Sequence, residues 1–95
     1  MPTWRLAASN THLYPGARLR CLDSQSDARF AAGDGVIVEF SDGNVVVARI
    51  DEAAPGEAIL AVQPHSTMRG APIAARRWRL LPGRQPGQLR VAARA

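Results

Sequence analysis

The most regular alternation of apolar and polar positions lies in residues 33–50, where two β-branched runs flank Asp42-Gly43. An Asp-Gly pair between such runs predicts a β-hairpin with a two-residue loop, because both central positions of a type I′ turn require positive φ. In that register Phe40 faces Val45, and period-two alternation predicts two faces. The core face would hold Val36, Val38, Phe40, Val45 and Val47, and the outer face Ile37, Glu39, Val46, Ala48 and Ile50.

The predicted outer face of this hairpin is more apolar than a sheet with one solvated side requires. We therefore expect a cover over it, which is another strand layer, the chain's own tail or a second subunit. If the cover is a second subunit, the candidate interface residues are Ile37, Val46 and Ile50.

Three further segments have the composition of strands; Pro-Gly turns precede the first two, and a loop over residues 65–72 precedes the third. They are residues 17–21, 58–62 and 73–81, with 4–6 as a further edge segment and 23–32 as an ordered loop or a single helical turn. Residues 82–87 read as a linker. The pattern predicts an all-β fold: a small five-stranded barrel over residues 1–82, followed by a flexible C-terminal tail over 83–95.

Residues 32–50 resemble the first hairpin of Tudor-like, SH3-like small barrels, in which a Gly-Asp pair, a strand, an Asp-Gly turn and a second strand recur. The resemblance implies the barrel fold and an aromatic cage that grips methylated side chains. In this chain Val45, Val46 and Val47 stand where that family usually shows aromatic residues, and the whole chain has five aromatic residues.

A second stretch is similar to the protease domain of LexA-like repressors. Ser24 is followed by Gly33-Asp34 and then by the run from Val45 to Ile50. The resemblance implies a serine nucleophile activated by a deprotonated lysine. Because the chain contains no lysine, this alternative implies an inactive relative.

The net charge of +4 is distributed unevenly along the chain. Residues 1–57 carry five arginines and all eight acids, a net charge of −3, whereas residues 58–95 carry seven arginines and no acid. Such asymmetry indicates an anionic partner, either RNA or DNA or an acidic protein surface. The alternative is that the basic half neutralises the acidic half of its own fold or keeps the domain soluble.

The candidate residues for binding nucleic acid or another anion lie in the basic half, where arginines bind phosphates and an exposed aromatic ring stacks on a base. They are Arg69, Arg76, Arg77, Trp78, Arg79 and Arg84. For Trp78 the alternative is packing in the core.

Other classes of function find little support in the sequence. Cys21, His12 and His65 lack the spacing of a zinc site or of a Cys-His pair, and the place of Cys21 on the apolar side of a strand predicts a buried structural thiol. We expect no enzyme, no metal and no cofactor. Neither a membrane-spanning run nor a secretion signal is recognisable, so we expect a cytoplasmic protein.

Two hypotheses follow. In the first, the barrel is an interaction module that binds nucleic acid or another anionic partner through its Arg-rich second half. In the alternative, it is a structural protein that forms a homodimer through the outer face of the 36–50 hairpin.

Overall fold

The computed structural model describes residues 2–23, 29–63 and 76–94. These residues form seven strands that close into a barrel in the order β1-β2-β7-β6-β5-β4-β3. All neighbouring strands are antiparallel except β1 and β3, which are parallel. The strands are β1 (Thr3–Ala8), β2 (Arg18–Cys21), β3 (Gly35–Glu39), β4 (Val45–Ala54), β5 (Glu57–Val62), β6 (Arg76–Pro82) and β7 (Gln88–Arg94). The prediction of a small all-β barrel is confirmed.

The prediction of five strands is wrong, because each end of the chain contributes a strand. The segment that was expected at most as an edge is β1, which pairs with both β2 and β3. Residues 88–94, expected in a flexible tail, form β7 between β2 and β6. These two strands close the barrel, so that no strand is left with an unpaired edge along the ring.

The predicted register of the β3–β4 hairpin is wrong by one residue. Its loop contains three residues, Ser41 to Gly43: the Phe40 N–H donates to the Asn44 carbonyl at 2.8 Å, and the Gly43 N–H donates to the Phe40 carbonyl at 3.0 Å. Gly43 has a φ of 88°, as the last residue of a three-residue hairpin loop usually does. Glu39 therefore faces Val45, and Val38 faces Val46.

A shift of one residue moves the side chains of one strand to the opposite face. Val46 and Ile50, predicted as interface residues, are 4% and 0% exposed and lie in the core. Val45 and Val47, predicted for the core, point outward, and Val47 is 46% exposed. Of the three predicted interface residues, only Ile37 lies on the outer face, where it is opposite Val47.

The barrel interior is filled by aliphatic side chains from all seven strands, and Trp78 is buried in the same cluster. Burying one Leu or Ile side chain contributes about 1.5–3 kcal/mol, so this interior is the main source of stability. Cys21 is buried in the same cluster, as expected for a structural thiol. The side chains with least exposure are Leu6, Leu19, Ile50, Leu60, Leu80, Val36, Val38 and Val91.

Candidate anion-binding groove

The predicted site on β6 is divided by the alternation of the strand. Trp78 is 6% exposed and packs in the core, so it offers no face on which a base could stack. Arg77 and Arg79 point outward on either side of it, and Arg76 is exposed at the start of the strand. Arg69 lies outside the described residues. The structure therefore brings these arginines to one strand without an exposed aromatic ring between them.

Arg77 and Arg79 already have anionic partners within the barrel. The Arg77 guanidinium contacts Asp51 at 3.2 Å and Glu52 at 2.8 Å, and Arg79 Nε contacts Glu57 at 3.0 Å. At half-exposed positions such pairs contribute only about 0–1 kcal/mol each. These pairs nevertheless neutralise both arginines. This agrees with the alternative in which the basic half neutralises the acidic half of the same fold.

The same pattern continues around β3, β4 and β1. Arg5 on β1 contacts Glu39 on β3 at 2.9 Å, and Arg49 lies 3.7 Å from Asp51. We call this side of the barrel the ion-paired face. It comprises Arg5, Arg49, Arg77 and Arg79 with Glu39, Asp51, Glu52 and Glu57.

The neighbouring strands β2 and β7 carry arginines and, in their described residues, no acids. An open groove of about 630 Å³ is lined by residues of β1, β2, β7 and the β6–β7 turn, and none of the described residues that line it is acidic. Ala7, Ser9 and Gln88 contribute to its floor. We call it the basic groove; its cations are Arg18, Arg20, Arg84 and Arg90.

The barrel topology places two of these cations directly opposite each other. Arg18 on β2 pairs with Arg90 on β7, and the next outward position pairs Arg20 with Gln88. Like charges at opposed positions destabilise a sheet. None of the four groove arginines forms an ion pair with another residue in the ranges that the structure describes. An anion bound in the basic groove would relieve this repulsion.

Comparison of the chain with known protein families, curated proteins and solved structures finds no match.

Only Arg84 of the basic groove was predicted from the sequence. The sequence predicts residues 17–21 as a strand and 83–95 as a tail, and does not single out Arg18, Arg20 or Arg90 as candidates. What marks these three residues is the absence of acids from β2 and β7, which alternate arginine with apolar residues. That pattern indicates a site only once the two strands are known to be neighbours.

The aromatic residues do not form a cage. Trp78 and Phe40 are buried. Trp4 packs edge-to-face on Phe30 with ring centroids 5.3 Å apart, and Tyr14 lies against His12. All five aromatic side chains are thereby accounted for, and no three of them surround an open space.

Ser24 and His65 lie outside the described residues. Among the residues that are described, no group of three or more histidines, cysteines and acids is placed to hold a metal ion. In the same part of the chain, no helix has the length and apolar character needed to cross a bilayer.

Proposed function

We propose that this barrel is an interaction module that binds the phosphate backbone of nucleic acid in the basic groove. The observation that supports the proposal is the segregation of charge: arginines on the ion-paired face have acidic partners, whereas Arg18, Arg20, Arg84 and Arg90 have none among the described residues. Such unneutralised cations attract polyanions over long distances.

The chemistry of the groove suits phosphate. The guanidinium group presents donors in a planar fork that matches two phosphate oxygens. Arg18 and Arg20 are two residues apart on one strand, which separates their Cα atoms by roughly 6.8 Å. Consecutive phosphates of a nucleic acid strand have a similar spacing, so neighbouring phosphates can each meet one arginine.

A nucleic acid fits the groove better than an acidic protein does. The four cations are spread over two strands and a turn. A partner whose charges repeat at regular intervals, as phosphates do, can contact all of them. No aromatic side chain is among the described residues that line the groove, so we expect its contacts to carry little sequence information. We also propose that the domain belongs among the small SH3-like barrels that serve as interaction modules, without the aromatic cage of Tudor-like members.

The homodimer hypothesis has less support. The corrected register leaves Ile37 and Val47 as an opposed apolar pair on the outer side of the hairpin. Stable interfaces use about 20–30 residues a side, and the neighbours of this pair include the charged Glu39 and Arg49.

The test is a titration of a fluorescent oligonucleotide by the full chain, followed by anisotropy over a range of salt concentrations. If four phosphates are neutralised, the logarithm of the association constant should fall against the logarithm of salt with a slope between about −2.8 and −3.6. A double variant, Arg18→Gln with Arg90→Gln, should weaken binding at low salt by about tenfold or more.

The matched control is the double variant Arg77→Gln with Arg79→Gln, which removes the same net charge from the ion-paired face. It should bind within about threefold of the parent chain, because those arginines are already neutralised. Equal losses in both double variants would mean that only net charge matters, and absence of binding by the parent chain would refute the proposal.

A further inference from the structure

A second groove opens at the end of the barrel beside the β6–β7 turn. It has a volume of about 640 Å³ and lies between the tip of the β4–β5 hairpin, the end of β6 and the segment that precedes β3. We call it the apolar groove; the residues that give it this character are Phe30, Ala54, Pro55, Leu81, Pro82 and Leu89. Arg29 and Glu57 also line it, and the Glu57 carboxylate is paired with Arg79 at 3.0 Å.

The apolar groove adjoins the basic groove. Pro82, Gln88 and Leu89 line both of them, so a ligand that lies along the arginines reaches the apolar groove by crossing Gln88. The Gln88 side chain carries both a donor and an acceptor. The combined surface is therefore cationic over one part and mainly apolar over the next, where Arg29 and Glu57 are the charged lining residues among those described, with a polar amide at the boundary.

Phe30 is the one aromatic residue among the described residues that line the apolar groove. Its ring is partly buried against the core and is held edge-to-face by Trp4. Trp4 is fixed in turn, because its indole Nε1 donates a 3.0 Å hydrogen bond to Asp34. The ring is thus fixed in position before any ligand arrives, which lowers the entropic cost of stacking a planar group against it.

We propose that the nucleic acid bound by this barrel is single-stranded and that one unstacked base enters the apolar groove beside Phe30. This inference rests on the proposed function, since it assigns the phosphates to the basic groove. Continuity of the two grooves at Gln88 carries the argument: a strand with its phosphates on Arg20 and Arg84 has its base next to the apolar walls. A duplex can fill the apolar groove only by flipping out a base, which costs pairing and stacking energy.

The experiment compares three ligands of equal length and charge per strand: a mixed single strand, an abasic single strand with the same backbone, and a duplex. The mixed single strand should bind about 5- to 160-fold more tightly than the abasic strand, which is the range for stacking one base on an aromatic side chain. It should also bind more tightly than the duplex at equal salt.

Two variants test whether the preference for the mixed strand over the abasic strand arises in the apolar groove. Phe30→Leu keeps an apolar side chain but removes the aromatic face, and should reduce the preference for the mixed strand while leaving abasic binding unchanged. Ala54→Gln fills the groove from the exposed hairpin tip without adding charge and should act in the same way, even if Phe30→Leu disturbs the fold. Val47→Gln, on the outer face of the β3–β4 hairpin, is the control and should change neither affinity.

The outcomes separate this inference from the proposed function. If no ligand binds, including the abasic strand, the basic groove is not a phosphate site and both proposals fail. If mixed and abasic strands bind equally, or the duplex binds most tightly, the proposed function stands and the base site in the apolar groove is refuted.

Discussion

The indole Nε1 of Trp4 donates a hydrogen bond to Asp34 Oδ2, joining the start of β1 to the residue that precedes β3. The same carboxylate oxygen accepts the Ala31 N–H at 2.9 Å, and the Asp34 carbonyl accepts the Ile50 N–H at 2.8 Å. Asp34 is the one charged residue with a buried side chain in the described ranges. It therefore fixes the parallel β1–β3 pair, the contact by which the barrel closes.

This arrangement predicts an acid-sensitive stability. The hydrogen bond from Trp4, followed by that from Ala31, lowers the pKa of Asp34 below its usual value of 3.8, against the opposing effect of burial. A lowered pKa in the folded state means that the ionised carboxylate stabilises the fold above the unfolded pKa, and that this contribution is lost as pH falls through the folded pKa.

The corresponding measurement is urea denaturation of the parent chain and of Asp34→Asn at a series of pH values from neutral to below the usual pKa of an aspartate. The variant should be less stable at neutral pH. The difference in free energy of unfolding between it and the parent chain should narrow once the pH drops below about 3.8, the usual pKa of an aspartate. Trp4→Phe, which keeps an aromatic ring but removes the donor, should raise the pKa of Asp34 toward its usual value. Curves that stay parallel over the whole pH range would contradict this assignment.

The corrected hairpin register can be tested with neighbouring valines. Val46→Thr places a hydroxyl in the core and should lower the free energy of unfolding by about 1–3 kcal/mol. Val47→Thr changes an exposed side chain and should stay within about 0.5 kcal/mol of the parent chain. Chemical denaturation of both variants decides the register, because the reverse order is what a two-residue loop would produce.

A stop after Gly87 tests the assignment of residues 88–94 to the barrel. Removing β7 takes Leu89 and Val91 out of the core and leaves β2 and β6 without their shared neighbour. We expect the shortened chain to lose the dispersed amide spectrum and the cooperative unfolding of the parent. A folded, cooperative product would show instead that residues 88–95 are a dispensable tail.

The sequence predicted strands where alternation is regular and failed where a distant neighbour decides the outcome. Strands β3, β4 and β5 follow from β-branched runs and turn residues. The register of the β3–β4 hairpin does not follow from the same pattern. The Asp42 carboxylate accepts the Asn44 N–H at 3.0 Å, as in an Asx turn, and the loop also includes Ser41. An Asp-Gly pair alone does not distinguish this three-residue loop from the tighter one.

The candidate site was predicted only in its chemical character. An excess of arginine indicated an anionic partner, but the ion pairs of Arg77 and Arg79 depend on acids brought to their side of the barrel by β4 and β5. The basic groove depends in turn on the pairing of strands from opposite ends of the chain. Both the ion pairs and the β2–β7 pairing join residues that are far apart in the sequence, so they follow from the closed barrel and not from local patterns.

The pairing of Arg18 with Arg90 predicts a conflict between stability and binding. Opposed like charges destabilise a sheet by roughly 0.2–1 kcal/mol, so Arg18→Gln should raise the free energy of unfolding by about that amount at low salt while it weakens oligonucleotide binding. At about 1 M salt, where the screening length is about 3 Å, this increase in the free energy of unfolding should vanish.

The control for this effect is Arg79→Gln, which breaks the ion pair with Glu57 and should leave stability unchanged or lower it by up to about 1 kcal/mol. Urea denaturation of both variants at the two salt concentrations makes the comparison. A loss of stability in Arg18→Gln at low salt would mean that Arg18 has a stabilising partner in the folded chain, and the basic groove would then lose one of its unneutralised cations. A gain limited to low salt and to the groove variant would show that the fold tolerates repulsion there, as expected of a surface that is completed by a bound polyanion.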